Sequence, residues 1–276
     1  MPATAALTIS KLTGIPFSMG AHAYDVFRHG GDWLLPLKLK EASFIRSSSA
    51  SSAKRIQAMG VAPERIKLIR RGLSHWPQRE SFELVNPGIV ELLSVGRLVE
   101  KKGYFHQLNI VQRMKSKGIP FRLRIVGSGP LLKELEKEKT RLGLEENVIF
   151  EGSRSEEETR EAFLRCDVFL FTGIVSRNGD RDGIPNVIPE ALSNGCLVLA
   201  SDQAGASEAF INGVSAFSLR PSFYDEWVSL MSEFHSTPEK FDSIRKSALK
   251  HARDCFEVGR TARSLRKEIE ASIRSI

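Results

Sequence analysis

Cysteine is scarce: the 276 residues contain only Cys166, Cys196 and Cys255, far apart and with no CxxC pair. That leaves no disulfide framework and no zinc site, and a reducing, cytoplasmic compartment is the expectation. Long apolar runs are missing too. No stretch of about 18 apolar residues occurs, so no transmembrane helix is expected. In the opening MPATAALTISKLTG the lysine follows the apolar residues, the wrong order for a secretory signal. The segment reads as the remnant of an amphipathic helix. Internal repeats and low-complexity tracts are also absent. Lys and Arg number 40 against 33 Asp and Glu, a net charge of +7. Such a charge permits attraction to nucleic acid, anionic lipid or phosphorylated ligands. The cations are scattered over RHGG, KLIRR, RLVEKK, FRLR and the tail, with no aromatic-interleaved stripe. A nucleic-acid partner is therefore not expected, and a peripheral contact with the anionic inner face of the plasma membrane stays open.

What is present is alternation. From Ile89 onward, short β-rich runs alternate with helical patterns, the mark of an α/β protein built of βαβ units around a parallel sheet. The strands are VELLSV (90–95), FRLRIV (121–126), NVIF (147–150), DVFLF (167–171), CLVLA (196–200) and SAFSL (215–219). Several are apolar throughout, as strands covered on both faces are. Helices are expected over 104–117, 131–142, 156–165 and 187–194, with Gly118, Gly143 and Gly195 at their C-caps. Before Ile89 there are three strands, PFSM, SFIRSS and IKLIR, and helices at 32–41 and 50–59, the second capped by the serines of SSSASSA. Three strands are few for a doubly wound unit. VNPG (85–88), after the polar HWPQRESFE, is turn chemistry and the best boundary. The expected division is 1–85, 86–222 and a helical 223–276, with two or three charged helices after Tyr224.

The chemistry-bearing residues gather where these strands end. VELLSV leads into GRLVEKKG, placing Arg97 and Lys102 at the carboxyl end of a parallel strand, where ligands of such sheets bind. The pair can neutralise a leaving diphosphate, although a solvated basic loop accounts for the same residues. Glu100 and Lys101 are read as solvated. VGSGP brings Gly127 and Gly129 to a helix start, where backbone N–H groups can approach a ligand; a tight turn explains them equally well. Around Gly152 in the next loop, backbone groups can meet a nucleobase edge, while Ser155 and Glu158 fit a capping box. After DVFLF, Asp182 and Glu190 bracket GIPNVIP, with Gly183, Ile184 and Asn186 offering amides at a helix mouth. Two carboxylates so spaced can hold vicinal hydroxyls, one set on a sugar and one on a ribose; helix capping is the rival explanation.

GRLVEKKG, VGSGP, FEGSRSEEE, DGIPNVIPEALSNGCLVLASD and GASEAFINGVSAF together resemble the C-terminal domain of glycosyltransferase family 4, over almost all of residues 91–219. The resemblance implies a GT-B fold with two Rossmann-like domains and a retaining transfer of a hexose from a UDP- or GDP-sugar to a polysaccharide or lipid-linked glycan, without metal or other cofactor. It implies that Arg97 and Lys102 hold the donor diphosphate, that Glu190 binds the ribose and that position 182 contacts the transferred sugar. The family usually has Glu at that position, and Asp182 is one methylene shorter. MGAHAYDVF resembles the loop in which a histidine faces the donor sugar, which makes His22 the candidate and gives Asp25 the task of fixing the loop. RRGLS stands where the family has an NGVD-like segment and matches it poorly.

Family members place several βα units before the AHAYD segment, and here it stands near the start, so most of the acceptor-binding half is expected to be missing. Truncation, completion by another chain and loss of turnover are the explanations, and a nucleotide-sugar-binding module is the alternative function. A third possibility is a metal-dependent transferase using the DRD triplet, Asp180 to Asp182, as a DxD site.

Overall fold

A computed structural model describes residues 2–29, 31–77 and 81–274; Gly30 of RHGG and residues 78–80 of the polar boundary stretch lie outside them. The chain starts with helix α1 (Pro2–Thr13), the helix read from the opening segment. Strand β1 (Met19–Ala21), helices α2 (Ala23–Phe27) and α3 (Leu35–Glu41), strand β2 (Ile45–Ser47), helix α4 (Ala50–Ala58) and strand β3 (Ile66–Leu68) follow. The three strands form a parallel sheet in the order β1-β2-β3, with Met19, Ala21, Leu39, Ile45 and Ile56 in its core. β1 lies later than the PFSM reading places it. Pro16 has no N–H to give a ladder, and pairing begins at Phe17, whose carbonyl accepts from the Ser43 N–H at 2.8 Å. α3 starts after Asp32 because that carboxylate accepts from the Leu34 N–H at 3.1 Å and pairs with Lys38. Ser49 caps α4, its hydroxyl accepting from the Ser52 N–H at 3.2 Å.

The second sheet has six parallel strands: β4 (Val90–Val95), β5 (Phe121–Val126), β6 (Val148–Gly152), β7 (Val168–Phe171), β8 (Leu197–Ser201) and β9 (Phe217–Leu219). Their order is β6-β5-β4-β7-β8-β9, so the winding reverses between β4 and β7. A reversal opens a crevice beyond the carboxyl ends of the two strands. Helices α5 (Tyr104–Ser116), α6 (Leu132–Arg141) and α9 (Tyr224–Ser236) cover one face, where Leu92, Leu108, Leu123, Leu135, Trp227 and Phe234 are buried together. Helices α7 (Glu156–Leu164), α8 (Val187–Ser193) and α10 (Asp242–Phe256) cover the other, over Phe163, Phe169, Ile188, Leu192 and Val198. With both faces covered, β4, β7 and β8 are apolar along nearly their whole length. The Ser155–Glu158 capping box opens α7, and Gly118, Gly143 and Gly195 close α5, α6 and α8 in the left-handed conformation.

Two segments cross between the sheets. The outgoing one, residues 70–74, meets the returning one at Phe256: the Leu73 N–H donates to the Phe256 carbonyl at 2.6 Å, and the Val258 N–H donates to the Leu73 carbonyl at 3.1 Å. A Cβ at Gly72 would stand 2.5 Å from Val258 Cα, so the crossing requires glycine there. The last helix, α11 (Val258–Ile273), returns to the three-stranded side. It is fastened there by Lys67–Glu268 at 2.9 Å and by the Thr261 hydroxyl on the Arg70 carbonyl at 3.3 Å. Among the described residues no helix is long and apolar enough to cross a membrane.

Candidate active site in the cleft between the sheets

The site is assembled by the loops at the switch between β4 and β7. After β4 the chain passes Gly96 and Arg97, makes a short turn at Glu100–Lys102 and enters α5 through Gly103. A Cβ on Gly103 would overlap the Thr172 carbonyl at 1.9 Å, so this turn packs directly on the chain leaving β7. Lys102 thereby reaches Asp182, Nζ to Oδ2 at 2.7 Å, over the ring of Phe171. Lys101, read as solvated, is not: it bridges Asp180 at 3.1 Å and Asp182 at 3.4 Å. Both carboxylates of the DRD triplet are thus neutralised by lysines, and the described residues include no group of three ligating side chains that could hold a metal. Arg97 is exposed and makes no ion pair among the described residues.

Close packing accounts for two of the candidate glycines. A Cβ on Gly127 would lie 2.0 Å from the Gly96 carbonyl oxygen, and one on Gly129 would lie 2.5 Å from that of Leu98. The loops after β4 and β5 are therefore pressed backbone to backbone. Gly152 has open space beside it, and the loops after β5 and β6 are joined by the Ser128 and Ser153 hydroxyls at 2.8 Å.

The loop 181–186 brings Gly183, Ile184 and Asn186 to the wall of a cleft of about 410 Å³ between the two sheets. Their N–H groups have no partner among the described residues. Asp182 lines the same cleft, and His22 faces it from the other side. His22 sits at the start of α2, a helix absent from the sequence reading, where the Asp25 carboxylate accepts its backbone N–H at 3.0 Å. Asp25 fixes the loop.

Glu190, on the first turn of α8, opens into an adjoining cleft of about 300 Å³ between α7 and the crossing segment. Burial pushes its carboxyl above the ordinary range, and Arg71 draws it part of the way back. Arg71 lines both clefts and the small recess between them. Sequence reasoning passed over Arg71, since RRGLS departs from its expected pattern, and Arg46, which enters the cleft from β2. It also gave no role to Glu208 of the GASEAF motif. That carboxylate crosses between the sheets to accept the backbone N–H groups of Ala50 and Ser51, the latter at 2.9 Å, at the start of α4. Spacing along the chain carries no sign of such a contact, because the partners are about 157 residues apart.

Two parallel α/β sheets that share one cleft, with the binding loops at a switch point, define a GT-B fold. The chain belongs to the family described as Glycosyl transferases group 1, whose profile matches residues 79–251. WcaL of Salmonella typhimurium, named for colanic acid biosynthesis, is 30% identical over 212 residues, 76% of this chain and 49% of its own. The amylovoran biosynthesis glycosyltransferase AmsK of Erwinia amylovora is 29% identical over 185 residues, 67% of this chain and 42% of its own. The chain therefore spans about half, or less, of the length of these relatives. Among solved structures, Anabaena Alr3699/HepE in complex with UDP superposes with a TM-score of 0.78 at 20% identity, over 98% of this chain and 76% of that one. The lipopolysaccharide outer core galactosyltransferase WaaB gives 0.71 at 18% identity, over 99% and 73%. At such identities the likeness establishes the fold.

Proposed function

We propose that the protein is a retaining hexosyltransferase that takes a hexose from a UDP- or GDP-sugar and delivers it to a polysaccharide or lipid-linked glycan. One observation carries this reading: Asp182 and Glu190 flank in sequence the N–H groups of Gly183, Ile184 and Asn186, unpartnered among the described residues, in adjoining clefts at the switch point of the six-stranded sheet. In this reading Glu190 binds the ribose, Arg97 and Lys102 take up the charge of the leaving diphosphate, and Asp182 and His22 hold the hexose from opposite walls. The acceptor hydroxyl attacks from the face the diphosphate leaves. The cations perform the charge neutralisation that a metal supplies in other transferases, so no cofactor is given a role. The names of WcaL and AmsK, glycosyltransferases of colanic acid and amylovoran biosynthesis, and the UDP held by HepE support the choice of donor and acceptor class. The reaction is assigned to the cytoplasm, with peripheral contact to the anionic membrane face.

A second reading, a nucleotide-sugar-binding module without turnover, is favoured by the three-stranded first sheet and by the engagement of Asp182 with two lysines. Calorimetric titration with UDP, GDP, UDP-glucose and GDP-mannose, followed by NMR of the product anomer, separates the two. Retained configuration in a product supports the transferase. Inversion removes retention, binding without turnover leaves the module, and failure to bind any of the four ligands removes both.

A further inference from the structure

The wall of the about 410 Å³ cleft carries more positive charge than its carboxylates balance. Among the described residues its acidic lining is Asp182 alone, which Lys101 and Lys102 already engage. Arg46, Arg71 and Arg181 line the same space, and none has a carboxylate within ion-pair distance among the described residues. Asp25 and Glu208 nearby are occupied by backbone N–H groups.

Each of two guanidinium groups is held in place by something that does not neutralise it. Arg46 Nε and Nη2 donate to the carbonyls of Ile69 at 2.9 Å and Arg70 at 3.1 Å, and Nη1 has no partner among the described residues. Arg181 lies on the Phe27 ring, 4.4 Å from its centroid, with one long bond of 3.5 Å to the Gly179 carbonyl. Burial first, and the neighbouring Arg71 after it, pull the Arg46 pKa down. Planar guanidinium forks match the two oxygens of a carboxylate or phosphate. The donor's diphosphate is assigned to Arg97 and Lys102 after β4, whereas Arg46 belongs to the opposite sheet.

We infer that this cleft takes an acidic acceptor, a sugar bearing a carboxylate or a phosphate ester, recognised by Arg46, Arg71 and Arg181. The inference rests on the donor reading above for the word acceptor, and on the arginines for the charge.

The test uses the full chain saturated with UDP and titrated, by ligand-observed NMR, with glucuronate, glucose 6-phosphate and glucose. At least one acidic sugar is expected to bind five times more tightly than glucose or better. Preference for glucuronate identifies a carboxylate, and preference for glucose 6-phosphate a phosphate ester. Arg181→Gln is expected to weaken the favoured acid at least fivefold while UDP affinity stays within twofold, and Arg46→Gln to do the same as a second, independent variant. Equal binding of all three sugars overturns the inference. So does an Arg181→Gln protein that loses UDP as steeply as the acid, since the arginines would then serve the diphosphate. Repeating the titrations without nucleotide keeps the two readings apart: acid preference in a protein that binds neither UDP nor GDP removes the donor reading and retains the acidic site.

Discussion

The six-stranded and three-stranded sheets face the same cleft with unequal means. The larger one brings two buried faces, a switch point and the loops proposed to hold the nucleotide and its diphosphate. The smaller one brings three short strands and a small core, and its contribution to the cleft, His22 and Arg46, is set from outside: Glu208 caps α4, and α11 returns from the far side to cover it. The difference teaches that the wall carrying His22 and Arg46 is placed in part by contacts from the larger unit, so a change in the larger sheet can reach both walls while a change in the smaller reaches one.

The largest effect is expected where the loops of the large sheet touch. Gly127→Ala forces a Cβ against the Gly96 carbonyl at a φ of 141°. It should cost about 3 kcal/mol of stability and abolish UDP binding; a melting temperature within a degree or two of the parent would contradict the packing described. Lys102→Met comes next. Loss of a charge-assisted contact worth about 2 kcal/mol should weaken UDP roughly thirtyfold by calorimetry, and an unchanged affinity would take Lys102 off the diphosphate.

Glu190→Gln is expected to weaken UDP about tenfold, the loss of one charge-assisted bond of about 1.4 kcal/mol. It also has a signature in pH. Because burial raises the folded carboxyl above its ordinary value of 4.5, the fold favours the neutral form, and stability falls as pH rises from that value through the raised one. The glutamine variant lacks this fall: it should match the parent near pH 4 and melt above it at pH 7. The opposite order would mean that the carboxylate is stabilised in the fold. Glu208→Gln removes a charged cap from α4 and should cost about 1 kcal/mol, with hydrogen exchange rising at Ala50 and Ser51 and unchanged along β4. Smallest of all, His22→Ala should leave UDP affinity within about twofold, since the proposal puts His22 against the sugar. A larger loss would move it to the nucleotide.

The large sheet was legible because its signal is local. Apolar runs such as CLVLA and the VFLF of DVFLF announce strands covered on both sides, and the glycines between them mark the turns; the structure adds the strand order. The three-residue strands of the small sheet carry little periodicity, and β1 was displaced by Pro16, beyond which pairing begins only at Phe17 with Ser43. α2 went unread because five residues are too few to show a helical period. In the cleft, the motifs located Asp182 and Glu190, while Lys101, Arg46, Arg71 and Glu208 acquire their partners only through folding. No pattern within a short window distinguishes Lys101 bridging two aspartates from a lysine in water.

The meeting of Leu73 with Phe256 and Val258 has a mechanical consequence. Two crossings bonded to each other behave as a single ribbon, and with Gly72 pressed on Val258 that ribbon is narrow. A narrow ribbon twists and bends about one axis but resists sliding. Away from that ribbon, Glu208 on the start of α4, Arg181 on the Phe27 ring and the His29 N–H on the Asn178 carbonyl at 3.0 Å tie the same two walls, so the ribbon resists sliding while these contacts resist opening. Arg71, one residue from Gly72, stands beside the point where the two crossings are bonded, which is why it lines both clefts at once.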